Sequence, residues 1–148
     1  MKKLFINSLS TNDVLTSYNF ARNSNVIYSE AVTPSQFKDL SVGQHRQYTK
    51  SNNMILYKLK EFRLNENDII FCHTDFIYNL FSDLKNIKTL KNVTLLTNQT
   101  DDMITKKLFF KKPKCISNWY SINVSIDSDG VTAIPLGLSN NYSPKNLR

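Results

Sequence analysis

Four apolar runs in residues 68–138 are separated by polar stretches, and this alternation limits the folds open to the chain. Residues 68–72 (DIIFC), 93–96 (VTLL), 115–120 (CISNWY) and 131–138 (VTAIPLGL) read as strands. The first is bounded by polar residues and apolar within, as a strand covered on both faces is. Pro135 demotes the far end of the fourth to an edge or loop. Between the first two runs, Phe76, Ile77, Leu80, Phe81 and Leu84 fall on one helical face, with Thr74 as cap and Asp75 in the first turn. Between the second and third, Thr100 reads as a cap, Asp101 and Asp102 as first-turn residues, and Ile104, Leu108 and Phe109 as the inner face; Pro113 ends the helix. Strand, helix and strand at this spacing form the βαβ pattern. It predicts an α/β fold, a three-layer sandwich with a mainly parallel, Rossmann-like sheet.

Residues 1–67 are more polar and less regular. Residues 4–9 read as a short strand, and residues 26–32 (VIYSEAV) are β-branched and aromatic enough for a second. Thr33 followed by Pro34 is an N-cap with proline at the first helical position, and Phe37 and Leu40 give that helix an apolar face. Ile55, Leu59 and Phe62 recur at helical spacing, which predicts a longer helix over residues 47–62. A chain of 148 residues without an internal repeat or a low-complexity linker fits one domain, residues 1–148. Three glycines and four prolines are too few for a many-turned all-β sandwich.

The formal net charge is +7, which permits an anionic partner. The basic residues are scattered, apart from Lys106, Lys107, Lys111, Lys112 and Lys114, which read as a solvated helix end and loop. No nucleic-acid motif accompanies them, so no nucleic-acid partner is expected. Cys72 lies in an apolar run and Cys115 borders one, as buried free thiols do, and no disulfide framework is expected. The apolar stretch after Met1-Lys2-Lys3 is too short for a signal peptide, and no run is long enough to cross a bilayer. The chain therefore reads as soluble and cytoplasmic, and its four Asn-x-Ser/Thr triplets as coincidences of an asparagine-rich sequence.

In parallel sheets, ligands bind beyond the carboxyl ends of the strands. The polar clusters at such ends are His73-Thr74-Asp75, residues 98–102 (NQTDD), residues 118–123 with Trp119 and Tyr120, and residues 137–141. His73, Asp75 and Asp101 are acid or base candidates. Thr74, Asn98, Gln99, Thr100, Asp102, Trp119, Tyr120 and Asn123 are binding candidates, since amides and carboxylates hydrogen-bond hydroxyls and aromatic faces pack on sugar rings. Each also has a structural reading: the threonines and aspartates suffice as helix caps, and the aromatics as packing. There is no G-x-G-x-x-G, P-loop or G-x-S-x-G, and no Cys-x-x-Cys or histidine pair for a metal. No cofactor or metal is expected.

In order, DIIFCHTD (68–75), VTLLTNQTDD (93–102), CISNWYSIN (115–123) and IPLGLSNN (134–141) resemble the N-terminal region of bacterial and viral glycosyltransferases of the exostosin-like, GT-B type. The resemblance covers residues 68–148. It implies the acceptor-side half of a two-domain enzyme that moves a sugar from a nucleotide-sugar donor to a glycan hydroxyl. The donor would bind mainly in a second domain beyond Arg148, and residues 1–148 alone would be inactive. The competing reading is a non-catalytic binding domain, using the same rim or the loop at Lys111–Lys114 to hold a phosphorylated or polyanionic partner. A hydrolase-like enzyme is a third, disfavoured by the missing nucleophile motif.

Overall fold

A computed structural model describes residues 16–40, 45–126 and 129–137. The strand expected at residues 4–9 and the cluster beyond Gly137 lie outside them. The described chain forms one seven-stranded sheet in the order β2-β3-β1-β4-β5-β6-β7. Its strands are β1 (Val26–Val32), β2 (His45–Lys50), β3 (Ile55–Leu59), β4 (Ile69–His73), β5 (Val93–Asn98), β6 (Ile116–Ser121) and β7 (Thr132–Ala133). The pairings β1–β4, β4–β5, β5–β6 and β6–β7 are parallel, while β3 pairs antiparallel with both β1 and β2. The expected parallel arrangement of the runs at Ile70 and Leu95 is present, and Ile134 donates its N–H to Ser121 O just past β7.

Among the described residues four α-helices flank the sheet: α1 (Ser17–Arg22), α2 (Pro34–Lys38), α3 (Ile77–Lys85) and α4 (Lys106–Phe109). Three sequence residues fix the start of α2. Thr33 and Gln36 exchange a reciprocal capping box, and Pro34 opens the helix without a lost donor. Helices α3 and α4 cover one face of the sheet. There Ile77, Leu80, Phe81, Leu84 and Leu108 pack with Ile70, Cys72, Leu95 and Trp119 in the main core. Helices α1 and α2 lie against the other face, where Phe37 meets Tyr57 of β3 and Arg22 meets Glu30 of β1. The result is the three-layer α/β sandwich with a mostly parallel sheet. No helix among the described residues is long and apolar enough to cross a membrane.

The helix expected over residues 47–62 is instead the β2–β3 hairpin. Ser51 supplies the turn: its N–H bonds Met54 O at 2.8 Å and its hydroxyl accepts from Met54 N at 3.1 Å. Ile55 and Tyr57 are buried at a spacing of two, so the run ILYKL obeys the strand period as well as the helical one. The helix expected from Thr100 begins later. Thr105 caps it, because the backbone of Ile104 is already bonded to Asn123 O and Ser125 N in an isolated parallel bridge. Thr74 does not cap α3. It opens a 3-10 turn, Thr74–Phe76, and its hydroxyl donates to Asn98 O at 3.3 Å, tying the ends of β4 and β5. Within the run at residues 131–138, only Thr132–Ala133 forms a strand among the described residues.

Candidate functional site

A bulge in β1 decides which residues face α1. Ile27 pairs with Phe71 and Ser29 with Cys72, so Tyr28 is an extra residue and stands with Ser29 on the α3 side. Glu30 is thereby turned to the α1 side, opposite its β3 partner Tyr57. Alternation from the Cys72–Thr97 pair puts His73 and Asn98, which pair with each other, on that same side. Glu30, His73 and Asn98 therefore form a polar row across the carboxyl ends of β1, β4 and β5. All three are buried.

Helix α1 lies across this row. At one end Ser17 Oγ donates to Asn98 Oδ1 at 2.9 Å; at the other Arg22 Nη2 donates to Glu30 Oε2. Tyr57 Oη also donates to Glu30 Oε2, at 2.9 Å. One polar atom of each row member is left unused. Glu30 Oε1, His73 Nδ1 and Asn98 Nδ2 are buried and have no hydrogen-bond partner. Such orphaned groups are rare in native proteins, because each forfeits its hydration without replacement.

Burial sets the protonation of the row. Desolvation raises the Glu30 carboxyl to about 7, outweighing Arg22 and Tyr57, which favour the charged form. Desolvation lowers the pKa of His73, against the opposing fields of Asp75 and Asp102. Asp75 Oδ2 stands 3.8 Å from His73 Nδ1, beyond hydrogen-bonding distance but close enough to stabilise an imidazolium. The row thus holds a neutral imidazole beside a carboxyl poised near neutrality, the condition general acid–base chemistry requires.

The other sequence-named residues divide clearly. Gln99 completes the sheet where β4 ends: its side-chain amide accepts from Ala31 N at 2.8 Å and donates to Ala31 O at 3.0 Å, imitating a strand residue. It does so with φ of 76°, a left-handed backbone that costs a non-glycine residue roughly 1 kcal/mol. Thr100 accepts from Asp102 N in a local turn, and Asn123 Nδ2 donates to Thr100 O at 3.0 Å. Asp101 and Asp102 are exposed beside this turn, and Tyr120 is half-buried on β6. Trp119 is not a sugar platform. It is 1% exposed, meets Phe81 edge-on at 5.7 Å and donates Nε1–H to Thr97 Oγ1 at 2.8 Å. Its register opposite Leu95 turns it into the α3 core. The structure therefore joins His73, Thr74, Asn98, Gln99, Thr100 and Asn123 at one edge and removes Trp119 from it.

Sequence reasoning missed Ser17, Arg22, Glu30 and Tyr57. One signal pointed to Glu30: it is the only charged residue within the run VIYSEAV, where a strand buried on both faces has no solvent to offer it. Among the described residues, no group of three or more histidine, cysteine, aspartate or glutamate side chains could hold a metal ion. Comparison with models of known protein families, with curated proteins and with solved structures finds no match to this chain.

Proposed function

We propose that the chain is the acceptor-side domain of a glycosyltransferase, holding a glycan hydroxyl at the carboxyl ends of β1, β4 and β5. A second domain would bind the nucleotide-sugar donor, and the reaction would proceed in the cytoplasm, where the unpaired Cys72 and Cys115 suit a reducing medium. One observation carries the reading: the buried, unpartnered Glu30 Oε1, His73 Nδ1 and Asn98 Nδ2 on adjacent parallel strands. A sugar hydroxyl both donates and accepts. It suits an amide N–H beside an imidazole nitrogen and a carboxyl oxygen.

In this reading His73 takes the acceptor proton as the hydroxyl oxygen attacks the anomeric carbon of the donor sugar. The bond from that carbon to the nucleotide's phosphate oxygen breaks, and the nucleotide leaves with its electron pair, held by the second domain. Burial keeps the imidazole neutral and able to accept, and Asp75 stabilises the imidazolium that forms. Asn98 orients the hydroxyl. Ser17 and Arg22 of α1 bridge the row, so a sugar ring would have to displace α1 to reach it. The test is glycan binding to immobilised wild-type chain and to His73→Ala and Asn98→Ala variants with native circular dichroism. Wild type should retain a glycan that each variant holds about tenfold more weakly, one hydrogen bond's worth. Equal retention by all three folded proteins removes the case for this site.

A further inference from the structure

The end of the sheet opposite the polar row carries a concavity. It lies where α3 ends and where the chain enters β5 and β6, and its volume is about 340 Å³. That size suits a small organic ligand. Its floor is apolar: Leu84, Ile87, Leu90, Pro113 and Cys115. Four lysines, Lys85, Lys88, Lys112 and Lys114, complete the lining, and no aspartate or glutamate is among the lining residues.

Lysines near the last turn of a helix commonly answer the helix dipole, and that accounts for Lys85 at the end of α3. It does not account for the other three, which come from two connecting loops. Lys112 has a partner, since its ammonium donates to Ile116 O. Lys85, Lys88 and Lys114 form no ion pair among the described residues. Like charges gathered around one concavity repel unless an anion joins them, and an apolar floor selects an anion that carries a hydrocarbon group.

We propose that this concavity binds a small phosphomonoester bearing an apolar or aromatic group, with Lys88 and Lys114 on the phosphate and Leu84, Ile87 and Pro113 against the hydrocarbon. The site is independent of the polar row, and either can stand without the other. The protein has a net charge of +7, which draws such a ligand in from a distance and makes its binding salt-dependent.

The test uses phenyl phosphate, inorganic phosphate and benzyl alcohol as probes of the ¹⁵N-labelled chain by two-dimensional NMR, at low and physiological salt. Phenyl phosphate should shift amides of residues 84–90 and 112–115, bind more tightly than either half-probe, and weaken as salt rises. A Lys88→Gln/Lys114→Gln variant changes only exposed ends and should fold as wild type. It should bind phenyl phosphate at least about tenfold more weakly, because two charge-assisted contacts are gone. Equal binding by the variant, shifts scattered over the surface, or phenyl phosphate binding no better than inorganic phosphate each overturns the proposal.

Discussion

Glu30 is the acidic residue of the polar row and is fully buried. Its carboxyl rises from 4.5 to about 7 on folding, chiefly by desolvation. Between those values the folded chain keeps a proton on Glu30 that the unfolded chain has released. Stability contributed by Glu30 therefore falls as pH rises through that window. His73 acts in the opposite sense. Its folded pKa lies below 6.5, so its contribution is complete above 6.5 and is lost as pH falls. The stability of wild type relative to Glu30→Gln, measured by urea unfolding, should thus drop by on the order of 3 kcal/mol from pH 4.5 to pH 8. A flat difference would mean that Glu30 is charged throughout. Trp119 makes a separate prediction. Trp119→Ala should cost about 3–5 kcal/mol, and wild-type indole fluorescence should resist iodide quenching, as a core side chain rather than a sugar platform does. Cys72 is wholly buried with its thiol pushed up to about 12, so native protein should leave it unlabelled by a thiol reagent while denatured protein labels it at once.

At the scale of elements, the sequence is most legible where one period excludes the other. Ile70, Phe71 and Cys72 are buried in β4, and the face Ile77, Leu80, Phe81 and Leu84 of α3 is buried as its spacing predicts. ILYKL is ambiguous because Ile55, Leu59 and Phe62 fit a helix while Ile55 and Tyr57 fit a strand. Only the turn made by Ser51 and the long-range pairing with β1 settle it. The candidate site divides on the same line. His73 and Asn98 follow from strand ends, which local pattern locates. Glu30 and Arg22 do not, because a β-bulge and a short helix packed from outside the βαβ repeat bring them to the row. Helix α1 holds its place through polar contacts at both ends, so Arg22→Ala should destabilise the fold by about 3 kcal/mol, leaving a buried carboxyl without its cation. An Arg22→Met/Glu30→Leu double variant should recover most of that loss, and a double-mutant cycle by chemical unfolding measures it.

On the scale of the whole molecule, the two faces of the sheet do different work. The α3–α4 face holds the large apolar core, while the α1–α2 face carries Ser17, Glu30, Tyr57, His73 and Asn98, polar side chains gathered near strand ends. A fold needs only one such core to be stable, which leaves the second face available for a site whose hydrogen bonds are incomplete. Because the chain carries no phosphate-cradling glycine loop, residues 1–148 alone should transfer no sugar and should bind a nucleotide sugar only weakly by calorimetry. Whether the row Glu30–His73–Asn98 receives a glycan hydroxyl is decided by titrating a glycan into the ¹⁵N-labelled chain and following the His73 imidazole nitrogens. On saturation the His73 Nδ1 resonance should move, together with the Asn98 side-chain amide and the backbone of α1. Saturation with both side chains unmoved, and shifts confined to another part of the surface, would contradict binding at the row.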